Sequence, residues 1–411
     1  APLTTAALAA AQNEPEARLL PRPRFRIGKA FSLELTAKVQ GDVARFDPVV
    51  DEDDEEFTWA RRRLGIKGEL FDSRVSFEVE REFGDDEDPW RDVYLNVRAS
   101  DYLEVRGGKF KVPFSLDNLT GATVHDFVYR SLATRTMAPG RDWGVMAHGR
   151  TGGRRLTYAV GVFNDDDPKE RSSQFFDDDK GSGSFGKTIG ARVTVQPLDG
   201  LRDLPRGLRN LEIGANGAWS SAPEGLFGLK GRSVFGYEFF APVYVKGDRV
   251  RGGVDAVLMA GPTSVKAEWL KAWDQRLTQG IADDDLPDAY GQGWYVSGTW
   301  LVTGEDKSDE VRPRRPFLQR GIGALELAGR YERFTLGSTG TGGEPPFANP
   351  RAANLLPNRD EAVTLGVTWY LNRWFRLQGN AIHEAFDDVD RAPIAGRAKY
   401  WSYVGRVQFV L

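Results

Sequence analysis

From residue 31 to the end, the chain falls into segments of ten to fifteen residues in which apolar and polar side chains alternate. Successive side chains of a strand point to opposite faces, so alternation over that length describes a strand with one apolar and one polar side. In "RVSFEVERE", Val75, Phe77 and Val79 alternate with Ser76, Glu78 and Glu80. In the closing "AKYWSYVGRVQFVL", Tyr403, Gly405, Val407, Phe409 and Leu411 share one face, and Val404, Arg406, Gln408 and Val410 the other. Sixteen such segments are expected, near 31–45, 57–70, 74–83, 90–100, 102–112, 142–150, 154–164, 186–197, 209–220, 249–260, 262–274, 291–302, 322–335, 360–371, 374–386 and 398–411.

The connections sharpen this. Tight turns at 71–73, 100–101, 261–263 and 372–373 alternate with long polar stretches such as "DPVVDEDDEE", "FGDDEDP" and 222–248, although the connections 197–209 and 303–320 are longer than their place on the short side predicts. Short turns at one end, long loops at the other and an even strand count describe an outer-membrane barrel, whose closure leaves no exposed edge. A soluble sandwich would use strands nearer five or six residues. No apolar run approaches the ~18 residues of a membrane helix, but barrel strands escape that test. The expected fold is therefore all-β: a 16-stranded antiparallel transmembrane β-barrel over 31–411, preceded by an extended periplasmic segment, 1–30. "APLTTAALAAAQ" lacks the basic n-region of a signal peptide and reads as a mature or trimmed N-terminus. Aromatics near segment ends (Trp90, Tyr102, Trp143, Trp369, Tyr370, Trp374, Tyr400 and Trp401) suit interfacial girdles.

Composition excludes several functions. The chain has no cysteine, so no disulfide framework, zinc–thiolate cluster or thiol nucleophile. A formal charge of −4 gives no reason to expect a nucleic-acid partner. His125, His148 and His383 are the only histidines, and none stands in a triad-like setting, so no enzymatic activity is expected.

In a membrane barrel the polar face meets the water-filled lumen. In "FTWARRRLGIKG", Trp59, Arg61, Arg63, Gly65 and Lys67 share one parity, while Ala60, Leu64, Ile66 and Gly68 share the other with Arg62. Arg61, Arg63 and Lys67 are thus expected in the lumen. Arg62 is the misfit, at a bilayer boundary, against a neighbouring subunit or re-aimed by a bulge. Arg45, Arg106, Lys109, Lys111, Arg192, Arg251, Lys266, Arg330, Arg376 and Arg406 are further inward candidates. The stretch 113–138, "PFSLDNLTGATVHDFVYRSLATRTMA", does not alternate and is too apolar for a surface loop. It is expected to fold into the lumen as a constriction loop carrying Asp117 and Asn118, with Arg130 and Arg135 as candidates for its narrowest point; the alternative is an extracellular loop packed on itself.

"VQGDVARFD", "ARRRLGIKG", "VRGGKFKVPFSLDNLTG" and "VGRVQFVL" resemble the phosphate-selective porin O and P family of Gram-negative outer-membrane porins. The resemblance implies a sixteen-stranded barrel, usually a trimer, whose third loop folds inward beside an anion pathway of arginines and lysines. It makes Arg45 pore-facing, Arg61 a constriction arginine and Arg130 the arginine of the inward loop. Arg63 and Lys111 fall where phosphate-selective members have pore tyrosines. Ala60, Asn118, Gly121 and Ala122 depart from the family pattern; Asn118 replaces a phosphate-binding lysine and Gly121 and Ala122 two serines. The implied function is passive diffusion of small anions, phosphate among them. The alternatives are a general or cation-preferring porin, or a structural or adhesive barrel. Expected partners are outer-membrane lipid and lipopolysaccharide, small anionic solutes and two further copies of the chain. No cofactor is expected. The Asp-rich loops offer divalent cations such as calcium a bridging place, against the plainer reading of solvated loops.

Overall fold

The computed structural model describes residues 23–28, 30–47, 56–84, 88–151, 155–164, 186–201, 203–205, 207–340, 342–394 and 396–411. Nineteen strands occur among the described residues: β1 (Arg24–Ile27), β2 (Phe31–Asp47), β3 (Glu56–Leu70), β4 (Val75–Glu82), β5 (Trp90–Arg98), β6 (Glu104–Lys111), β7 (Arg141–Arg150), β8 (Leu156–Phe163), β9 (Thr188–Val195), β10 (Glu212–Gly225), β11 (Gly231–Arg232), β12 (Glu238–Phe240), β13 (Val245–Ala260), β14 (Thr263–Arg276), β15 (Leu286–Leu301), β16 (Ala324–Ser338), β17 (Asn358–Tyr370), β18 (Phe375–Phe386) and β19 (Lys399–Val410). β2–β10 and β13–β19 pair antiparallel with their chain neighbours, and β19 pairs with β2 to close a sixteen-stranded barrel. Each of the sixteen expected segments coincides with one of these strands to within a few residues at either end.

The alternation that defines the strands also sorts their faces. On β19, Tyr400, Ser402, Val404, Arg406 and Gln408 are buried towards the lumen, while Trp401, Tyr403 and Val407 are exposed on the outer wall. The periplasmic turn at Phe71, Asp72 and Ser73 is tight because all three adopt left-handed backbone, with φ of 53°, 58° and 63°. Trp90, Tyr102, Trp143 and Trp401 are exposed as girdle residues should be. Tyr370 and Tyr400 are not: their parity turns them inward, where they donate to Glu326 and Glu384. Trp374 also lies inside the mouth.

The N-terminal segment contributes to the wall. β19 runs alongside β2 only as far as Lys38, and β1 takes over next to Glu34–Phe31. At this seam the β2 edge is therefore paired rather than left open.

Among the described residues, two segments fill the lumen. The third loop, 112–140, crosses it and carries two short helices, α1 (Leu116–Leu119) and α2 (Leu132–Met137), capped by Ser115 and Ser131. The connection between β10 and β13, expected as a polar outer loop, also turns inward. Leu229, Val234, Phe235, Phe239, Phe240 and Val243 are almost wholly buried against Phe114, Leu132, Met137, Phe334 and Phe386. The reason is compositional: those apolar residues have no lipid to face, so burial against the third loop removes them from water. Most of the acidic loop residues (51–55, 85–87, 165–167 and 177–179) lie outside the described residues.

Candidate functional site

The third loop is tied to the wall by backbone groups meeting inward side chains. Glu268 of β14 accepts from the amides of Leu116 (2.7 Å) and Asp117 (3.3 Å), and Glu332 of β16 from that of Leu132 (2.6 Å). Asn380 of β18 accepts from Val128, and Gln378 and Gln408 donate to carbonyls of Asp126 and Thr123. A buried ion cluster adds to this. Lys266 and Lys307 donate to the two carboxylate oxygens of Asp126, at 2.7 and 2.6 Å, and Lys307 also pairs with Glu326. Burial alone would raise the Asp126 carboxyl, but Lys307 and Lys266 outweigh it and bring it down to about 2.

Arg61, Arg63 and Lys67 face the lumen on β3. A bulge inserts Ala60 between the pairs Arg61↔Gln40 and Trp59↔Gly41. It turns Trp59 outward, correcting the shared parity expected for Trp59 and Arg61, and leaves Arg62 where alternation puts it, on the outer face. There the Arg62 guanidinium lies against Gly84, in the turn beyond β4, and the Arg62 amide donates to Glu82.

The lumen arginines and lysines are not a bare basic lining. β4 presents Glu78, Glu80 and Glu82 directly opposite β3. Arg63 pairs with Glu82 and with Glu80 (3.3 Å), Lys38 with Glu80, and Lys67 with Glu78 (3.1 Å). Arg406 grips Asp42 at 2.6 and 2.7 Å, and Arg192 and Asp255 form a second fork. Arg61 instead donates to Gln40. Lys111 donates to the loop carbonyls of Asn118 and Thr120, and Arg130 to those of Asp117 (3.1 Å) and Thr120 (3.3 Å). Arg63 and Arg130 stand within Coulombic reach of each other and of both Arg61 and Lys111, so one end of the loop and the β3 wall meet as a positive cluster.

Below the loop, towards the short-turn end, opens a cavity of about 1,250 Å³. Among the described residues, eleven basic and five acidic side chains line it, Arg63, Lys67 and Lys111 among the former.

Several expected sites lie elsewhere. Arg45 is on the outer face. The Asp42–Arg406 pair fixes Asp42, Ala44 and Phe46 inward, so Val43 and Arg45 point out, near the strand end where a charge leaves the hydrocarbon. Lys109, also expected inward, lies opposite the outward Val93 and pairs with Asp88. Asp117 is buried and staples the loop, accepting from the Ser131 amide at 2.8 Å with His125 at 3.4 Å. Asn118 donates to the Pro139 carbonyl at 3.0 Å. Arg135 donates to the carbonyls of Ser233 and Val234, fastening the second inward segment rather than lining the cavity. Lys38, Arg141 and Lys307 were missed. The signal for Lys38 was present, as its parity matches Gln40, whereas Lys307 sits in a connection with no alternation to read.

A family model, "Phosphate-selective porin O and P", matches residues 33–410. The chain belongs to that family. It is an outer-membrane β-barrel of the porin class. Among curated proteins it is 26% identical over 343 residues to an uncharacterized protein of Caulobacter vibrioides, covering 78% of this chain but 64% of that protein's length. Among solved structures it resembles outer-membrane expressed OmpT of Vibrio cholerae (TM-score 0.58, 11% identity, 95% of this chain and 100% of that one). It also resembles an anion-selective porin from Comamonas acidovorans (TM-score 0.55, 14% identity, 93% and 100%). At these identities the structural likeness concerns the fold.

Proposed function

We propose that this porin is a passive diffusion channel preferring small anions. The observation that carries the reading is the lining of the 1,250 Å³ cavity, eleven basic side chains against five acidic ones, directly below the cluster of Arg61, Arg63, Lys111 and Arg130. Guanidinium and ammonium groups replace part of an anion's hydration, and several weak sites in succession let it move on. The ion pairs temper the field without reversing it. Phosphate enters as one small anion among others, because the loop amide of Asn118 is spent on Pro139. The Comamonas relative's anion selectivity agrees with this reading. Reversal potential in a planar bilayer under a KCl gradient tests it. The expected sign is that of chloride preference, and a potassium preference would leave a general or cation-selective porin.

The oligomer we propose is a homotrimer, with the wall β4–β9 turned to the other copies. Those strands have 8 to 10 residues, against 12 to 17 for the other ten wall strands. Eight residues at ~3.3 Å each, tilted ~40°, rise only about 20 Å, short of the ~25 Å apolar band. Neighbouring copies would cover the deficit.

A further inference from the structure

At the short-turn end, beside the large cavity, a smaller recess of about 70 Å³ lies between the tip of the third loop, the long connection after β15 and the turn joining β17 to β18. We propose that this recess binds a small organic carboxylate at the periplasmic mouth. The proposal rests on the anion-channel reading above and adds to it a second site with its own ligand class.

The turn is built to present two side chains inward. Asn372 Oδ1 accepts from the amides of Trp374 (2.8 Å) and Phe375 (2.9 Å), and the Trp374 carbonyl accepts from Val410 at 2.9 Å. Trp374 and Arg376 then share a face, two residues apart. Arg376 is 4% exposed, and among the described residues no acceptor meets its Nε or Nη2, nor the buried Nε1 of Trp374. Both residues line the recess. Buried donors left without acceptors are costly, and all three are donors only, so what completes them is an acceptor. A carboxylate offers two oxygens in the spacing of a guanidinium fork.

Charge and shape favour a monoanion with a short apolar tail over a phosphate dianion. Arg312, Arg373 and Arg376 line the recess together with Asp309 and Glu310, and Arg312 is engaged by its near neighbour Glu310 at 3.2 Å. About one positive charge is left for a ligand. Val124, Val311, Phe375 and Val410 supply apolar wall. Thr123, Val124 and Asp309 line both this recess and the large cavity, so a solute leaving one meets the other.

The test is KCl conductance of the purified full chain in planar bilayers, titrated with propionate or with inorganic phosphate. Propionate should inhibit saturably. Arg376→Gln should raise its half-inhibitory concentration at least tenfold, since a charged hydrogen-bonding partner is lost. Trp374→Phe, which keeps the ring and removes only the N–H, should raise it several-fold. Heat-modifiable gel mobility selects folded variants. Unchanged propionate inhibition in folded Trp374→Phe and Arg376→Gln overturns the site, as does phosphate inhibiting equally well and losing as much in both variants. The KCl reversal potential is read in the same bilayers, so failure of the anion-channel reading shows separately as potassium preference in the unmodified protein.

Discussion

Asp126 is the point at which one charge holds the third loop to the wall. A carboxyl brought to about 2 from its ordinary ~3.9 is stabilised in the ionised form by roughly 2–3 kcal/mol, approaching a hundredfold. The group is buried between Lys266 and Lys307, so solvent screens little of this. Asp126→Asn keeps the shape and removes the charge. It should shift the equilibrium between docked and undocked loop by about that hundredfold, because the carbonyl contacts from Gln378 remain but two ammonium groups lose a counter-ion. Amide hydrogen exchange over residues 122–132 in detergent measures it: protection should fall 30- to 100-fold, with the barrel strands unaffected. The sign with pH follows from a depressed carboxyl. The stabilisation is complete above ~4 and is lost as pH falls towards 2, so variant and wild type should differ by a constant factor from pH 5 to 8 and converge near pH 2. Equal protection at pH 7, or a difference that grows on acidification, would refute the reasoning.

Two further outcomes are expected. Arg130→Glu reverses a charge inside the positive cluster, so the bilayer reversal potential should move towards potassium; unchanged selectivity would place this guanidinium outside the conducting path. Val162→Arg, on the outer face of β8 where the side chain is half exposed, should yield a monomer on native sizing that keeps its heat-modifiable mobility; an intact trimer would show that the short wall faces lipid.

Much of the barrel was legible because its determinants are local. Alternation fixes a strand and its two faces, and Phe71–Ser73 or Asn372 fix where it reverses; neither needs knowledge of the rest of the chain. That is why all sixteen wall strands and the inward course of residues 113–138 could be read. Errors arose where one extra residue changed the parity or a distant pair set it. The bulge at Ala60 turned Trp59 outward, and the Asp42–Arg406 pair set Arg45 on the outer wall.

The alternation and the turn lengths by themselves determined a closed sheet with a polar interior, since every strand carries its own record of lipid on one side and water on the other. What fills that interior was decided only in three dimensions. The partners of Arg63, Asp126 and Arg135 come from other strands and loops, and Coulomb attraction acts between groups that chain closure brings within a few ångströms, whatever their distance in sequence. The apolar segment after β10 is the clearest case: its composition required burial, and only the neighbouring loop inside the lumen supplied the place.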